Sequence, residues 1–202
     1  MKGKPTPWGI KFFFLCGVSG FPYSFIPYQG ASTSFPEEFK PYGIGGAVVL
    51  SLVTTRIPEN SLSSLFIDRF FTSPPLVKKL LDYGVYTTGT VNTLRIGKPP
   101  VIGNKAILKK PRGYMEGCLS KDGSQCLVKW KDSNNVCVLS SAYTFHETQL
   151  VQRYDKKVSN IPMSNAHLIS YITIKIWEVL TDLIILFHFI GFISNLGNGR
   201  LG

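Results

Sequence analysis

Leu65–Val91 reads LFIDRFFTSPPLVKKLLDYGVYTTGTV, and this stretch decides the fold. Leu65–Ile67 is a short apolar run that ends on Asp68. Thr72-Ser73-Pro74-Pro75 then predicts a helix start: a hydroxyl side chain suits the cap, and proline fits the first turn, where an amide hydrogen has no helical partner. The helix is expected from Leu76 to Tyr83, closing at Gly84, a residue that takes the left-handed conformation of a helix end without steric cost. Val85–Val91 (VYTTGTV) is β-branched and aromatic, so a second strand follows. Strand, short helix, strand makes one βαβ crossover and hence an α/β fold. Asp68 then sits at the carboxyl end of a buried strand, where such folds place metal and ligand groups. The plain structural alternative is an aspartate that begins a turn and caps the helix opened by Ser73.

Working outward, Ile10–Cys16 (IKFFFLC) is a continuous apolar run between Gly9 and Gly17, the pattern of a covered strand. Gly20–Pro22 turns the chain, and Tyr23–Tyr28 (YSFIPY) returns as a strand whose Pro27 requires an edge or a bulge. Gln29–Tyr42 reads as a polar loop, and Gly45–Thr55 (GGAVVLSLVTT) is apolar at helical spacing through Val48, Val49, Leu52 and Val53. Downstream, residues 92–111 turn loop-like and basic. Asp122-Gly123 and Asn134-Asn135 mark two hairpin tips, flanked by strands at Gln125–Trp130 and Val136–Ser141. Gln149–Lys157 reads as a polar connector, followed by an apolar helix from Leu168 to Ser194 and a Gly-rich end. Two units result: residues 1–161, with a basic hairpin region inserted at about 92–141, and a helix and frayed tail over 162–202.

The chain has 202 residues, of which 44% are hydrophobic and 17% charged, enough to bury one core and too apolar for wholesale disorder. A net charge of +10 favours an acidic partner, nucleic acid or an anionic membrane. The segment from Arg95 to Lys131 concentrates that charge. Arg95, Lys98, Lys105, Lys109, Lys110, Arg112, Lys121, Lys129 and Lys131 stand there against only Glu116 and Asp122, a net +7. These are candidate phosphate contacts, which supply affinity without reading sequence; Trp130 and Tyr114 among them read as packing residues. Cys16, Cys118, Cys126 and Cys137 show no CxxC spacing, and His146, His167 and His188 lie far apart, so a zinc site is not expected and free thiols are.

Lys2, Lys4 and the run after Gly9 imitate a secretory leader, but Pro5, Pro7 and Lys11 interrupt it, and a strand is the better reading. The 168–194 stretch is long enough for a membrane span, yet Lys175, Glu178, Asp182 and His188 fall inside it. Each charged group at mid-bilayer costs about 2.5–3.5 kcal/mol, so a buried amphipathic helix is favoured over a membrane anchor.

LFIDRFFTSPP, the helix LVKKLLDYG and the strand VYTTGTV together resemble the second acidic motif of piggyBac-type transposases, with Asn92 where an arginine is usual. The resemblance extends back through Lys4–Gly30 (KPTPWGIKFFFLCGVSGFPYSFIPYQG). It extends forward through Arg112-Gly113, Leu127–Asp132 (LVKWKD), Val138–Ser141 (VLSS) and Val151–Lys157 (VQRYDKK), covering about 150 residues in register. It implies an RNase H-like catalytic domain in which three aspartates hold two Mg²⁺ ions, because a two-metal centre must activate the attacking oxygen and stabilise the leaving one. By resemblance, Asp68 is the second of the three acids.

The other two depart from the family pattern. The first aspartate belongs to a strand upstream of the "KPxxWGIK" segment, next to which this sequence opens. The third belongs to a "YNxxMGGVDxxD" motif, where this chain reads Tyr171 and then ITIKIWEVLTD: Val179 stands at the catalytic position and Asp182 at the later acid. The expectation is therefore an incomplete RNase H-like α/β domain, lacking its first strand, that binds metal weakly if at all through Asp68. It needs no cofactor of its own, is catalytically inactive, acts in the nucleus and contacts DNA without sequence preference. An open sheet edge also predicts self-association. The competing readings are activity completed in trans by a full-length transposase, attachment to a membrane through 168–194, and a relic with no selected function.

Overall fold

A computed structural model describes residues 10–17, 19–132, 134–143, 148–152, 163–167 and 186–191. Strands β1 (Ile10–Cys16) and β2 (Pro22–Tyr28) form an antiparallel hairpin, followed by the α-helix α1 (Gly43–Arg56). Strand β3 (Ser63–Ile67), helix α2 (Pro74–Asp82) and strand β4 (Val85–Thr90) make the expected crossover, with β3 and β4 parallel. A short helix α3 (Asn104–Ile107) leads into strands β5 (Met115–Leu119), β6 (Cys126–Lys131) and β7 (Asn135–Ser140). Strands β8 (Thr148–Gln152) and β9 (Met163–His167) pair with each other, and β10 (Leu186–Gly191) pairs with β1.

These strands build a three-stranded sheet in the order β10-β1-β2 and a five-stranded sheet in the order β3-β4-β7-β6-β5. The hairpin and the crossover thus lie in two sheets, joined by a shared core. Alternation on β1 explains the joint: Phe13 and Leu15 point inward and are buried, while Phe12 and Phe14 lie on the opposite face. Phe13 meets Phe71 edge-on at 5.8 Å, and both pack with Leu65, Ile67 and the buried valines of α1. Helix α1 is buried along Gly46–Leu50 and again at Leu52 and Val53, so its small and β-branched residues serve both sheets. Pro27 lies on β2, the outer strand of its sheet, and the absent N–H there discourages pairing with another strand.

The basic hairpin region joins the crossover's sheet. Its last strand pairs with the crossover through Thr88↔Ser140, Gly89↔Leu139 and Thr90↔Val138, so the hairpins extend the same sheet. The tip at Asp122-Gly123 is docked on α2: Gln125 Nε2 donates to the Pro74 carbonyl at 3.1 Å, and Lys78 Nζ lies 3.2 Å from Asp122 Oδ2. Gly84 closes α2 with a φ of 86°, and a Cβ there would meet the Asn60 Cα at 2.5 Å.

Three expectations are corrected. Ser73 holds the cap position of α2 in extended backbone, but its hydroxyl makes no cap bond, because the two prolines that follow leave the first turn few amide hydrogens to bind. Gln149–Gln152, read as connector, is strand; residues 153–157 lie outside the described residues. Leu186–Gly191 (LFHFIG), read as helix, is a strand on the edge of β1; its aromatic and β-branched residues suit that state, and a short apolar run does not distinguish strand from helix by periodicity. The rest of 168–194 lies outside the described residues. Among the described residues no helix is long and apolar enough to cross a membrane.

Two outcomes follow from this packing. Phe13→Ala removes the ring shared by both sheets and should lower stability by about 3–5 kcal/mol in urea unfolding; a change under about 1 kcal/mol would show that the sheets do not depend on it. Asp122 accepts from the Ser120 and Ser124 hydroxyls, the Ser124 amide and Lys78, and these bonds hold its carboxyl well below the usual range, the Ser120 bond foremost. A depressed folded pKa contributes stability above the unfolded value near 3.9, and the contribution is lost as pH falls toward the folded one. Asp122→Asn should therefore flatten the acid limb of the stability curve below about pH 4, read from thermal melts across pH.

Candidate functional site

Parallel strands β3 and β4 end side by side, and a cleft of about 810 Å³ opens beyond their carboxyl ends. Such a crevice is the usual ligand position in parallel α/β sheets. Asp68, Arg69 and Phe70 supply one wall, Thr90 to Thr93 and Arg95 another, and Asn104 and Asn135 a third.

Asp68 stands at the strand end as expected, and its side chain is exposed. The chain reverses immediately after it: the Asp68 carbonyl accepts from the Phe71 amide at 2.9 Å, the Thr72 amide at 3.1 Å and the Thr72 hydroxyl at 3.0 Å. Thr72 is fully buried. Gly89, opposite Ile67 on β4, permits this closure, since a Cβ there would lie 2.5 Å from both the Ile67 carbonyl oxygen and Thr72 Oγ1. Arg95 completes it from outside: Nη1 donates to the Phe70 carbonyl at 2.8 Å and approaches those of Thr72 and Arg69 at 3.3 and 3.4 Å. A planar, permanently charged fork suits this convergence of carbonyls.

The candidate DNA contacts divide into two groups. Lys98, Lys105, Lys109 and Lys110 are exposed; Lys110 Nζ lies 5.0 Å over the Tyr114 ring, and Lys105 adjoins Asn104 at the cleft. Arg95 serves the loop after Asp68. Arg112 Nε donates to Asp132 Oδ1 at 2.7 Å. Lys129 is 5% exposed and donates to the Ile102 carbonyl at 2.7 Å, so it is a buried tie between loop and sheet and not a surface contact. Lys131 is half-buried beside it on β6. Trp130 is buried, as a packing residue should be. Asp182, Glu178 and Val179 lie outside the described residues.

A two-metal centre needs several carboxylates at one point. Among the described residues no three His, Cys, Asp or Glu side chains converge, and Asp68 is the one acid lining the cleft, beside two arginines. The described donor set does not fit a pair of Mg²⁺ ions. Cys137 also lines the cleft, but burial pushes its thiol up to about 11, so it is a neutral packing group there. All four cysteines are free.

Sequence reading missed the amides of the third wall. Asn134-Asn135 was legible only as a hairpin tip, and Asn104 had no motif around it; their neighbourhood with Asp68 exists only once β7 pairs with β4.

The family model described as Transposase IS4 matches residues 1–175. Human PiggyBac transposable element-derived protein 3 is 33% identical over 161 residues, 78% of this chain and 26% of that protein. Human PiggyBac transposable element-derived protein 2 is 30% identical over 156 residues, 76% and 26% respectively. In solved structures, a piggyBac transposase synaptic complex with hairpin DNA matches at a TM-score of 0.55 and 24% identity, over 80% of this chain and 31% of that one. The fold is that of an α/β domain, similar to that of the solved transposase. Within that class, the chain belongs to the piggyBac-type transposase IS4 family. It spans about a quarter of the length of the curated relatives it matches.

The Gly89 contact is directly testable. Gly89→Ala places a methyl group against backbone and should cost about 1–3 kcal/mol in chemical denaturation. An unchanged midpoint would show that the loop after Asp68 yields without strain.

Proposed function

We propose that this chain is a non-catalytic derivative of a piggyBac-type transposase that binds DNA through its phosphates, with strong salt dependence and little sequence preference. The observation that carries the reading is the sign of the cleft: among the described residues one carboxylate, Asp68, lines it together with Arg69 and Arg95, where the family's chemistry calls for converging acids. The fall in carboxylates is reinforced by sequence, since Val179 stands where resemblance puts the third acid. On this reading the domain has an RNase H-like sheet, and its described residues hold metal weakly if at all through Asp68. It resides in the nucleus, where its exposed lysines contact the phosphate backbone. The solved relative is a transposase complex with hairpin DNA, which supports DNA as the partner class.

Purified chain should not cleave a labelled duplex bearing piggyBac-type terminal repeats in Mg²⁺ or in Mn²⁺. Nicking that disappears in Asp68→Ala would overturn the non-catalytic reading. Binding of the same duplex should fall steeply with salt. Neutralising Lys105, Lys109 and Lys110 together should reduce the slope of log K against log salt by about one for each phosphate no longer engaged; an unchanged slope would remove these lysines from the interface.

A further inference from the structure

We propose that Lys11 is a methylation site, and that the three aromatic rings around its side chain form a cage for the trimethylated ammonium. Lys11 Nζ lies 4.7 Å from the centre of the Phe13 ring, 4.8 Å from that of Tyr28 and 4.9 Å from that of Phe70. The rings come from three places in the chain. Phe13 stands two residues along β1 on the same face as Lys11, Tyr28 is the register partner of Lys11 on β2, and Phe70 belongs to the turn after Asp68. Their mutual packing fixes the cage: Phe13 meets Tyr28 edge-on at 5.6 Å and lies nearly parallel to Phe70 at 6.2 Å.

Distance decides which cation fits. A bare ammonium is a compact, strongly hydrated charge whose three hydrogens seek acceptors at about 3 Å. Among the described residues Nζ has no such acceptor and no carboxylate partner, and burial lowers its pKa. A methyl carbon touches a ring carbon at about 3.5–4.0 Å and lies about 1.5 Å from its nitrogen, so a ring about 5 Å from that nitrogen is one methyl group away. All three rings stand at that distance, and a nitrogen bonded to Cε has three further substituents, one for each ring. Methylation removes the hydrogens that find no acceptor and keeps the charge that the ring faces attract. The methyl groups come from a sulfonium donor through a lysine methyltransferase. In each transfer the lone pair of the neutral amine attacks the methyl carbon, the carbon–sulfur bond breaks, and a thioether leaves with its electrons. The amine gives up its proton to water before the next transfer. Lys11 is half-buried and second in β1, so its side chain can swing out at the strand's end to meet the enzyme. Once methylated and back in the cage, it clamps β1 and β2 to the turn after Asp68.

Cys16 makes the test direct, because a synthetic segment 1–15 can be joined there to the rest of the chain by thioester ligation without leaving a scar. Three full chains are compared in urea unfolding, with Lys11 unmodified, trimethylated or acetylated. Trimethylation should raise the folding equilibrium constant about fivefold. Acetylation, which removes the charge, should lower it below that of the unmodified chain. Phe70→Leu, at a part-exposed position, should erase the gain from trimethylation. Equal or lower stability of the trimethylated chain, or a gain that survives Phe70→Leu, overturns the cage. The full chain isolated from cultured human cells should also carry methyl groups on Lys11, read by accurate-mass peptide mapping. A wholly unmethylated Lys11 overturns the modification, and this readout stands even where a ligated chain fails to fold.

Discussion

The close approach of β4 to the turn after β3 is the constraint on which the rest depends. Gly89 lets the Ile67 carbonyl and the Thr72 hydroxyl come within a distance that no side chain tolerates. Thr72 can then bond back to the Asp68 carbonyl, and Phe71, one residue earlier, drops into the core against Phe13. Three consequences share one cause: Asp68 is held at the strand end, α2 starts directly after the turn, and the three-stranded sheet gains its aromatic seat on the crossover. Arg95 acts on the same backbone from the solvent side, so the turn is tied by a buried hydroxyl within and a guanidinium without.

How much of this was legible in the sequence follows from the range of each interaction. The crossover was readable because its signals are local: the apolar run before Asp68, the proline pair, Gly84 and a β-branched return. The hairpin tips were readable for the same reason. The pairing of β7 with β4 was not, because nothing in VLSS names its partner, and with it went the neighbourhood of Asp68, Asn104 and Asn135. The 168–194 stretch failed differently. Leu186–Gly191 is apolar enough for either state, and the edge of β1 that it occupies is more than 170 residues away in sequence. A local pattern cannot express a partner at that distance.

Basic residues show a similar limit. A count of charges treats Arg95, Arg112, Lys129 and the exposed lysines alike, whereas the fold assigns them separate roles. Lys129 lies in a central strand and needs a carbonyl for its ammonium, which Ile102 provides. Arg112 answers Asp132. The exposed lysines of this segment, Lys98, Lys105, Lys109 and Lys110, lie on loops and on the short α3, where there is no sheet to bury a side chain against. Charge density along a chain thus overstates the cationic surface wherever the chain passes through a sheet.

Electrostatics also decides what kind of ligand suits the strand-end cleft. Two unit charges 4 Å apart interact by about 1 kcal/mol in water and about 4 kcal/mol near a protein surface. Among the described residues, the one aspartate and two arginines of the cleft give a divalent cation two repulsions for one attraction, and a phosphate the reverse. Arg95 spends its hydrogen bonds on backbone carbonyls, but a bond to a neutral carbonyl leaves the guanidinium charge in place. The scaffold that positions a carboxylate can thus persist while the ligand it suits changes sign. Gly89, Thr72 and Arg95 hold the backbone and not the acid's charge, so the turn does not depend on a further carboxylate at the cleft.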